Sequence, residues 1–580
     1  MATLTAESAP IASRQRLLWL GVIIALIVGL PFLAKPFHID DTVVLAIARN
    51  VTHDPLRPFA GSINWFGDPR PIFEETTNPP LVSYYLAPVV ARFGFAEVPL
   101  HVAMLLFLLI LALATAALSR RFAHASAWPV LFVMLSPAVV VSNNVMRDVP
   151  LAALSAAAAA LFIIGVDRRS WPLAVAGSLV AGMALLTKYS GAALLPVLAL
   201  YAILQRRGRY AFSLAAALAL LGLWSLDTQL VHGRVHLAYL MAERRGDLEW
   251  SDRFYSGLVV IGACLFLLPA LVVHVVRRRQ FWLLGGAAAA AGLAFVGARI
   301  HHQGPVGWQY GLWLTTGAAL TFVVIVPALA SAPRGVSRGR PDAADTLFLA
   351  LWAGGILLFT VFFVMFQAVR HIIPAIVPLA ILGTRLLVQD EGSRWRHALL
   401  GVLLAAQAVV AFAVGAADYE YAATYRDFAR QARDRLIGPG REVWFAGNWG
   451  WQRYALSAGF TLIAEHGRLP RPGDLVIIPD RVHKGPLPQG LNLIEIEHKT
   501  YQGRVPIHTM DGSVGVSFYA TSGDSVPYAF TRERALETLR VFRVASIATL
   551  RSAYSAEAAS AAKAGSEAPS LRSTSQRPRS

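Results

Sequence analysis

The amino-acid sequence predicts an α-helical polytopic membrane protein of about thirteen transmembrane helices, with a small α/β domain near the C-terminal end. Hydrophobic residues make up 56% of the chain and charged residues only 15%, a balance that a soluble domain of this size could not cover with polar surface. Thirteen apolar segments follow one another between Leu17 and Ala416. Arginine clusters occupy only every second loop between these segments, which is typical of a membrane protein with a fixed orientation.

The arginine clusters predict which loops are cytoplasmic, because Lys and Arg near span ends are retained on that side. The clusters are Arg14/Arg16, Arg120/Arg121, Arg168/Arg169, Arg206/Arg207/Arg209, Arg277 to Arg279, Arg334/Arg338/Arg340 and Arg394/Arg396. With an odd number of spans, we expect a cytoplasmic N-terminus and an outer C-terminal region. The net charge of +17 then reflects arginine at the anionic inner leaflet, and no nucleic-acid partner is expected.

The predicted spans follow the apolar segments in order. They are 17–34, 98–118, 127–143, 149–166, 172–187, 190–204, 210–229, 255–276, 281–298, 308–329, 346–368, 371–388 and 397–416. The first span is expected to be an uncleaved signal anchor. We separate the fifth and sixth spans at Lys188 rather than merge them into one bent helix, because merging would reverse the arginine alternation downstream. The lone Cys264 lies within a span, which excludes disulfides.

These segments divide the chain into a membrane domain at 1–416, with a first outer loop at 35–97, an extracytoplasmic α/β domain at 417–550, and a disordered tail at 551–580. Strand-like runs in the second region occupy 442–447, 474–479, 491–497 and 514–520, with a helix-like stretch between the first two. Trp449 and Trp451 in that stretch are interpreted as structural aromatics, with sugar stacking as the alternative. The tail is rich in Ala, Ser and Arg and lacks bulky residues.

The first outer loop begins with an acidic pair, Asp40 and Asp41, directly after the first span. An amphipathic helix is predicted to follow, with its apolar face formed by Val44, Ile47, Ala48 and Val51. A helix cap accounts for only one of the two carboxylates. The second carboxylate is therefore a candidate for chemistry at the membrane surface.

Further candidates lie at predicted outer ends of other segments. A Glu-Glu pair at Glu74 and Glu75 precedes an Asn-Pro-Pro helix start and an aromatic face. The basic candidates are Arg147, Lys188, Arg370 and His371. For Arg147 the alternative is a simple ion pair with Asp148, and for Lys188 it is snorkelling toward the surface. A charge kept at membrane depth is nevertheless a functional-site hypothesis, so we favour contact with a phosphate for Lys188.

Several motifs in this order resemble the C-type glycosyltransferases. They are the acidic pair, a Pro-Pro-Leu helix start at 79–81, V-M-R-D-V-P-L at 145–151, L-L-T-K-Y-S-G at 185–191 and R-H-I-I-P-A-I-V-P-L at 370–379. Within that class the chain is similar to family 39, which includes protein O-mannosyltransferases and the lipid A aminoarabinose transferase. The resemblance implies transfer of a sugar from a polyprenyl-phosphate carrier to a lipid, glycan or protein acceptor. It places this inverting reaction on the periplasmic side of a bacterial inner membrane.

The transfer that the resemblance implies assigns roles to these candidates. A base must take the proton of the acceptor hydroxyl, and cations must stabilise the departing phosphate. We expect Asp41 to be the base and Asp40 the helix cap, with the four basic candidates binding the phosphate. Glu75, Asn78 and Tyr84 are expected to contact the substrates. Relatives similar to the aminoarabinose transferase have an acidic residue and a lysine where this chain has Thr77 and Asn78, which leaves the corresponding metal and phosphate contacts without a counterpart.

No metal or other cofactor is expected to be required. His301 and His302 lie in a predicted outer loop and are compatible with a divalent cation, but no third ligand follows at a recognisable spacing. A transporter or flippase of a lipid-linked or glycan substrate is the main alternative function, although charged residues are nearly missing from the predicted span centres. A sensor or scaffold is a third hypothesis, for which thirteen spans exceed the need for anchoring.

Overall fold

The computed structural model describes residues 11–243, 250–264, 267–277, 306–338, 340–364, 366–388, 394–438, 441–463, 468–485, 487–521, 523 and 525–547. Its helices are α1 (Ile11–Gly29), α2 (Asp41–His53), α3 (Ile72–Glu75), α4 (Leu81–Phe93), α5 (Glu97–Phe122), α6 (Trp128–Met134), α7 (Pro137–Val141), α8 (Asp148–Asp167), α9 (Trp171–Thr187), α10 (Leu194–Leu204), α11 (Ala215–His232), α12 (His236–Glu243), α13 (Trp250–Ala263), α14 (Leu268–Arg277), α15 (Gly307–Leu320), α16 (Val326–Ser337), α17 (Pro341–Phe363), α18 (Ile373–Gly383), α19 (Arg394–Leu436) and α20 (Trp449–Ser457). Its strands are β1 (Ser62–Asn64), β2 (Pro69–Pro71), β3 (Val443–Phe445), β4 (Thr461–Leu462), β5 (Leu475–Pro479), β6 (Leu491–Gln502), β7 (Ile507–His508), β8 (Met510–Asp511), β9 (Val516–Ser517), β10 (Ala529–Phe530) and β11 (Ala535–Ile547).

Eight helical segments in the described part of the chain are long and apolar enough to cross a membrane. They are Gln15–Phe32, Glu97–Phe122, Asp148–Asp167, Gly208–His232, Gly307–Ser337, Asp342–Phe363, Val369–Val388 and Arg394–Leu436. Three shorter apolar helices accompany them at Leu81–Phe93, Trp171–Thr187 and Tyr189–Leu204. The protein is therefore a multi-pass, mostly helical membrane protein, as its sequence predicts. The predicted span 281–298 lies outside the described residues, so the number thirteen stays a prediction.

The structure corrects one of the predicted spans and confirms the boundary between two others. The segment 127–143 is not one helix but two short ones, α6 and α7, because Ser136 caps the second helix and Pro137 begins it. The separation predicted at Lys188 is confirmed. There, α9 ends at Thr187 and Lys188 adopts an extended conformation, with φ of −157° and ψ of 131°. A 3₁₀ turn at Tyr189–Ala193 then leads into α10.

The core of the membrane domain is built on two central segments, α8 and Val369–Val388. Of the most apolar stretch of each, 83% and 89% of the residues are buried, whereas Gly208–His232 buries only 17% and lies at the periphery. With 20 residues, α8 is about 30 Å long, enough to cross the hydrocarbon core. Its two ends therefore mark the two ends of the bundle, which we call the Asp148 end and the Asp167 end.

Several arginine-rich loops lie at the Asp167 end of the bundle. Arg121 forms ion pairs with Asp167 at 2.5 Å and with Asp345 at 2.8 Å. Arg207 donates to the carbonyl oxygens of Val166 and Asp167. These contacts join four segments whose neighbouring loops carry arginine clusters. Four of the loops that the arginine pattern assigns to one side thus lie together in the structure.

The Asp148 end carries the first long loop, which begins after α1. As predicted, an amphipathic helix follows the acidic pair: α2 spans Asp41–His53 and buries its apolar face. The hairpin of β1 and β2 and the short helix α3 come next, and α4 packs on α2. Ser83 of α4 donates to the carbonyl oxygen of Val44, which fixes the two helices together.

The last helix of the bundle, α19, runs on into the C-terminal domain. Its 43 residues make it about 65 Å long, well beyond the length needed to cross a bilayer. We expected a span that ends at 416, but the helix continues to Leu436 and packs on α20 and β11. The C-terminal domain is therefore anchored directly on a membrane helix.

The C-terminal domain contains a five-stranded sheet in the order β4-β3-β5-β11-β6. Strands β4, β3 and β5 are parallel, and β11 is antiparallel to both β5 and β6. Three of the four predicted strand runs and the helix between the first two are confirmed. The run at 514–520 is largely irregular, with only the short β9, and the central strand β11 was not predicted. Trp451 is fully buried, in agreement with a structural role.

Candidate active site

Five separate parts of the chain meet at the Asp148 end of the bundle. They are the loop between α1 and α2, the buried loop between α7 and α8, the turn at Lys188, the 3₁₀ turn before α18, and a loop of the C-terminal domain. Four of these parts contribute charged side chains, and the loop of the C-terminal domain contributes Tyr519. We call the group Asp40, Arg147, Asp148, Lys188 and Arg370 the charge cluster.

Arg370 lies at the centre of the charge cluster. Its Nη1 atom donates to Asp40 Oδ2, and the same atom lies 3.6 Å from the sulfur of Met146. The guanidinium also lies over the ring of Tyr519, 5.8 Å from the ring centroid, a cation–π distance. Among the described residues, its buried Nε has no hydrogen-bond partner. Arg370 is thus held on one side and retains an unused donor.

Arg147 is buried beside Arg370 and Asp40, and more of its hydrogen-bond donors lack a partner than is the case for Arg370. Its Nε and Nη2 atoms find no partner within the described part of the chain. Burial lowers the pKa of Arg147 to about 10, and the charges of Asp40 and Asp148 oppose that shift. The expected alternative, an ion pair of Arg147 with Asp148, is not what forms, because Asp148 binds Lys188 instead, with Nζ and Oδ1 2.7 Å apart. Burial also lowers the pKa of Lys188, against the charge of Asp148.

The two members of the acidic pair have different surroundings. Asp40 occupies the N-cap position of α2, but its side chain makes no capping hydrogen bond, so the expected cap is wrong. The reason is geometric: its backbone is helical, with φ of −65° and ψ of −16°, and Arg370 attracts its carboxylate. Asp41 turns back instead, and its Oδ2 accepts from the backbone N–H of His38 at 2.9 Å. The side chain of Asp40 is 30% exposed, whereas that of Asp41 is only 1% exposed.

A second polar group lies directly behind the charge cluster. Its centre is Asp418 on α19, which is fully buried. Lys35 donates to Asp418 Oδ2 at 2.6 Å, and His38 Nε2 lies 3.1 Å from the same oxygen. Burial alone would lower the pKa of His38, but Asp418 and Asp41 raise it above its usual value. His38 is therefore stabilised in its charged form between two carboxylates.

The remaining predicted site residues lie away from this group or at its edge. His371 follows Arg370, and its ring lies 5.2 Å from that of Phe366. Asn78 donates to Thr77 Oγ1 at 2.8 Å, and the Tyr84 hydroxyl donates to the carbonyl oxygen of Pro55. Glu75 ends α3 in the same loop. Within the described part of the chain, no hydrogen bond or ion pair joins Asn78 or Tyr84 to the charge cluster, so their expected contact with substrate stays a prediction.

Sequence reasoning missed several members of the site. Lys35 and His38 directly precede the acidic pair, and Lys35 carries the same signal that singled out Lys188, a basic residue on the side where lysine is disfavoured. Asn144 accepts from Lys35 at 2.5 Å, and Tyr519 donates to Asp418 at 2.7 Å. These two residues carry no local sequence signal, because their role depends on the distant chain segments that surround them.

The metal expectation is not decided by this geometry. Within the described ranges, no three His, Cys, Asp or Glu side chains are grouped closely enough to hold a metal ion. His301 and His302 lie outside those ranges. The expectation that no metal is required therefore stays a prediction.

A comparison with protein families agrees with the site. Residues 77–232 match the family model described as dolichyl-phosphate-mannose-protein mannosyltransferase. This segment contains Arg147, Asp148 and Lys188, which form one side of the charge cluster. Over this segment, the match confirms the resemblance to C-type membrane glycosyltransferases that the sequence motifs indicate. A comparison with curated protein sequences gives no match.

A comparison with solved structures finds several that are similar to this chain at low identity. The chain is similar to ArnT from Cupriavidus metallidurans in the apo state, with 18% identity over 79% of this chain and 92% of that one and a TM-score of 0.39. The same protein bound to undecaprenyl phosphate has 17% identity over 82% of this chain and 94% of that one, with a TM-score of 0.39. The Archaeoglobus fulgidus oligosaccharyltransferase in complex with Zn and sulfate has 13% identity over 76% of this chain and 62% of that one, with a TM-score of 0.42. Identities and TM-scores this low carry no information on the chemistry of the site, which therefore depends on the geometry described above.

Proposed function

We propose that the protein transfers a sugar from a polyprenyl-phosphate carrier to an acceptor lipid, glycan or protein on the periplasmic side of a bacterial inner membrane. The observation that carries this proposal is the pair of buried guanidinium groups, Arg147 and Arg370, whose unused donors lie beside a partly exposed carboxylate. Buried donors without partners are costly, so they point to an anion that completes them in the working enzyme.

The charges of the cluster suit a lipid-linked phosphate. Three cations, Arg147, Lys188 and Arg370, oppose two carboxylates, Asp40 and Asp148, which leaves one net positive charge. Charge-assisted bonds from guanidinium groups to phosphate oxygens are among the strongest in proteins. The cluster lies at the end of α8, at the level where a carrier dissolved in the bilayer presents its phosphate. The phosphate would thus be held while the sugar faces the loop of Asp40.

In the proposed step, the acceptor hydroxyl oxygen attacks the anomeric carbon and its proton passes to Asp40. The bond from the anomeric carbon to the phosphate oxygen breaks, and the polyprenyl phosphate leaves with the electron pair, stabilised by the cations. A phosphate bound to Arg370 competes with Asp40 for the same guanidinium and so leaves the carboxylate available as a base. This geometry favours Asp40 over our expected base, Asp41. A single displacement inverts the anomeric configuration.

The proposed orientation is supported by the two ends of the bundle. The arginine-rich loops meet at the Asp167 end, which we assign to the cytoplasm. The charge cluster and the C-terminal domain lie at the Asp148 end, which we assign to the periplasm. A transporter or flippase has less support, because such proteins hold their substrates near the middle of the bilayer rather than at one end.

The proposal is tested in a strain that lacks the protein. Lipid extracts and surface glycans are compared by mass spectrometry after complementation with the wild type, Asp40→Asn or Asp54→Asn. Asp54 is the matched control, since it lies in the same loop and is half exposed. We expect a lipid-linked sugar to accumulate and its product to be lost with Asp40→Asn, and normal lipids with Asp54→Asn. Full restoration by Asp40→Asn would overturn the assignment of the base.

A further inference from the structure

The C-terminal domain reaches into the membrane domain through residues 507–521 and 525–530, which we call the docking segment. Gln309 of α15 exchanges two hydrogen bonds with the backbone of Phe530, at 2.8 and 2.7 Å. The Tyr528 hydroxyl donates to the carbonyl oxygen of Ala263 at 2.9 Å. The docking segment is thus fixed to the ends of α13 and α15 and is part of the same body as the bundle.

The docking segment places Tyr519 between the charge cluster and the group around Asp418. The residue is 2% exposed. Its hydroxyl donates to Asp418 Oδ2 at 2.7 Å and accepts from Asn144 Nδ2 at 2.8 Å. Its ring lies edge-on to His38, with centroids 4.9 Å apart, and its face carries the guanidinium of Arg370. One side chain of the C-terminal domain therefore contacts four parts of the site.

Asp418, which Tyr519 supports, holds the loop that carries the acidic pair. Its carboxylate binds Lys35 and His38 of that loop, while Thr509 of the docking segment donates to Oδ1 at 2.9 Å. His38 Nδ1 in turn lies 3.5 Å from Asp41 Oδ2. The chain of contacts runs from the C-terminal domain through Asp418 and His38 to the acidic pair.

The backbone of this loop needs such support. Ile39, between His38 and Asp40, has φ of +47°, in the left-handed region that β-branched residues rarely adopt. Such a conformation is strained and persists only where the surroundings determine it. The contacts of Lys35, His38 and Asp41 flank Ile39 on both sides. The direction of the Asp40 side chain therefore depends on the hydrogen bonds around Asp418.

We propose that Tyr519 is a positioning residue through which the C-terminal domain holds both Arg370 and the loop of Asp40 in place for sugar transfer. This inference rests on the proposed function and extends it, because it makes the C-terminal domain a part of the catalytic unit. The hydroxyl of Tyr519 acts on the loop through Asp418, and its ring acts on Arg370. The two parts of one side chain should therefore affect two different steps.

Two substitutions separate these effects in the full-length protein. Tyr519→Phe keeps the ring and removes the hydroxyl, so kcat should fall by roughly 10-fold to 100-fold, as expected for loss of a hydrogen bond to a charged group. Its affinity for polyprenyl phosphate should stay within about twofold of the wild type, because the ring under Arg370 remains. Tyr519→Leu removes the ring as well and should weaken both kcat and phosphate binding.

The control is Tyr528→Phe, which removes one hydrogen bond from another buried tyrosine of the docking segment, whose hydroxyl binds the carbonyl oxygen of Ala263 rather than Asp418. Polyprenyl phosphate is the binding probe, and the lipid-linked sugar that accumulates in the deletion strain is the donor for transfer. Thr509→Val, which removes the other bond from this segment to Asp418, provides a second variant should Tyr519→Phe fail to fold. It should lower kcat in the same direction.

The outcomes distinguish the two proposals. A wild-type protein that neither binds polyprenyl phosphate nor transfers sugar would refute the proposed function itself. If the wild type transfers sugar, and Tyr519→Phe and Thr509→Val transfer it as fast as Tyr528→Phe, the positioning role is refuted while the proposed function stands. The positioning role is supported if kcat falls in Tyr519→Phe and Thr509→Val but not in Tyr528→Phe, while the affinity for polyprenyl phosphate stays unchanged.

Discussion

Replacement of Arg147 by methionine should make the protein more stable and less active. The fold buries this guanidinium with two donor atoms that lack partners among the described residues. A pKa lowered to about 10 means that the fold disfavours the charged form by about 3 kcal/mol, at roughly 1.4 kcal/mol per tenfold change in proton affinity. Asp40 and Asp148 keep Arg370 and Lys188 as partners in the variant. We therefore expect a gain of about 1 to 3 kcal/mol, since an apolar side chain of similar length avoids that cost.

The matched control is Arg121→Met at the opposite end of the bundle. Arg121 is paired with both Asp167 and Asp345, so its loss leaves two carboxylates without their cation and should lower stability. The assay is the apparent unfolding temperature in detergent, followed by tryptophan fluorescence, together with binding of polyprenyl phosphate. Arg147→Met should unfold at an equal or higher temperature than the wild type and bind the phosphate at least about tenfold more weakly. An Arg147→Met variant that unfolds several degrees below the wild type, or that keeps full affinity, would refute this reasoning.

Three further predictions follow from other parts of the structure. His38 faces Asp41, Asp418, Lys35 and Tyr519, and its pKa is raised in the folded protein. Its charged form therefore contributes stability that is fully present below the usual pKa of about 6.5. This stability is lost as pH rises through the pKa of the folded protein. The apparent unfolding temperature of the wild type should therefore fall more steeply above that pH than that of His38→Gln, and parallel curves would contradict this. Gly262→Ala should reduce the yield of folded protein in size-exclusion chromatography, because a Cβ atom there would lie 1.8 Å from the carbonyl oxygen of Trp313, whereas Gly222→Ala, with no heavy atom nearby, should not. Treatment with a chelator should leave sugar transfer unchanged, and loss of transfer that added divalent metal restores would show that a metal is required.

The sequence predicts those features of this protein that depend on local composition. Apolar length and arginine placement identify the membrane helices and the shared end of the basic loops. Lys188 and Arg370 stand out because each places a cation where the arginine pattern disfavours one. The break at 135–137 also had a local signal, Ser136 followed by Pro137, which is a typical helix start that a hydropathy argument alone overlooks.

Features that depend on contacts between distant segments could not be predicted in this way. The different roles of Asp40 and Asp41 are decided by Arg370, 330 residues away, and by the local turn of His38. Asp418 lies just beyond the predicted end of the last span, at 416, and its importance arises from Lys35 and Tyr519, which the fold brings to it from distant parts of the chain. Strand β11 was overlooked because charged residues interrupt its apolar pattern, although it pairs with both β5 and β6.

The central claim is that the charge cluster binds the phosphate of a lipid carrier. Native mass spectrometry of the purified protein with polyprenyl phosphate, and with the corresponding polyprenol, tests this most directly. We predict a bound adduct with the phosphate and none with the alcohol at the same concentration, and loss of the adduct in Arg370→Gln. Equal binding of the two lipids, or an adduct that survives Arg370→Gln and Arg147→Met alike, would contradict the claim.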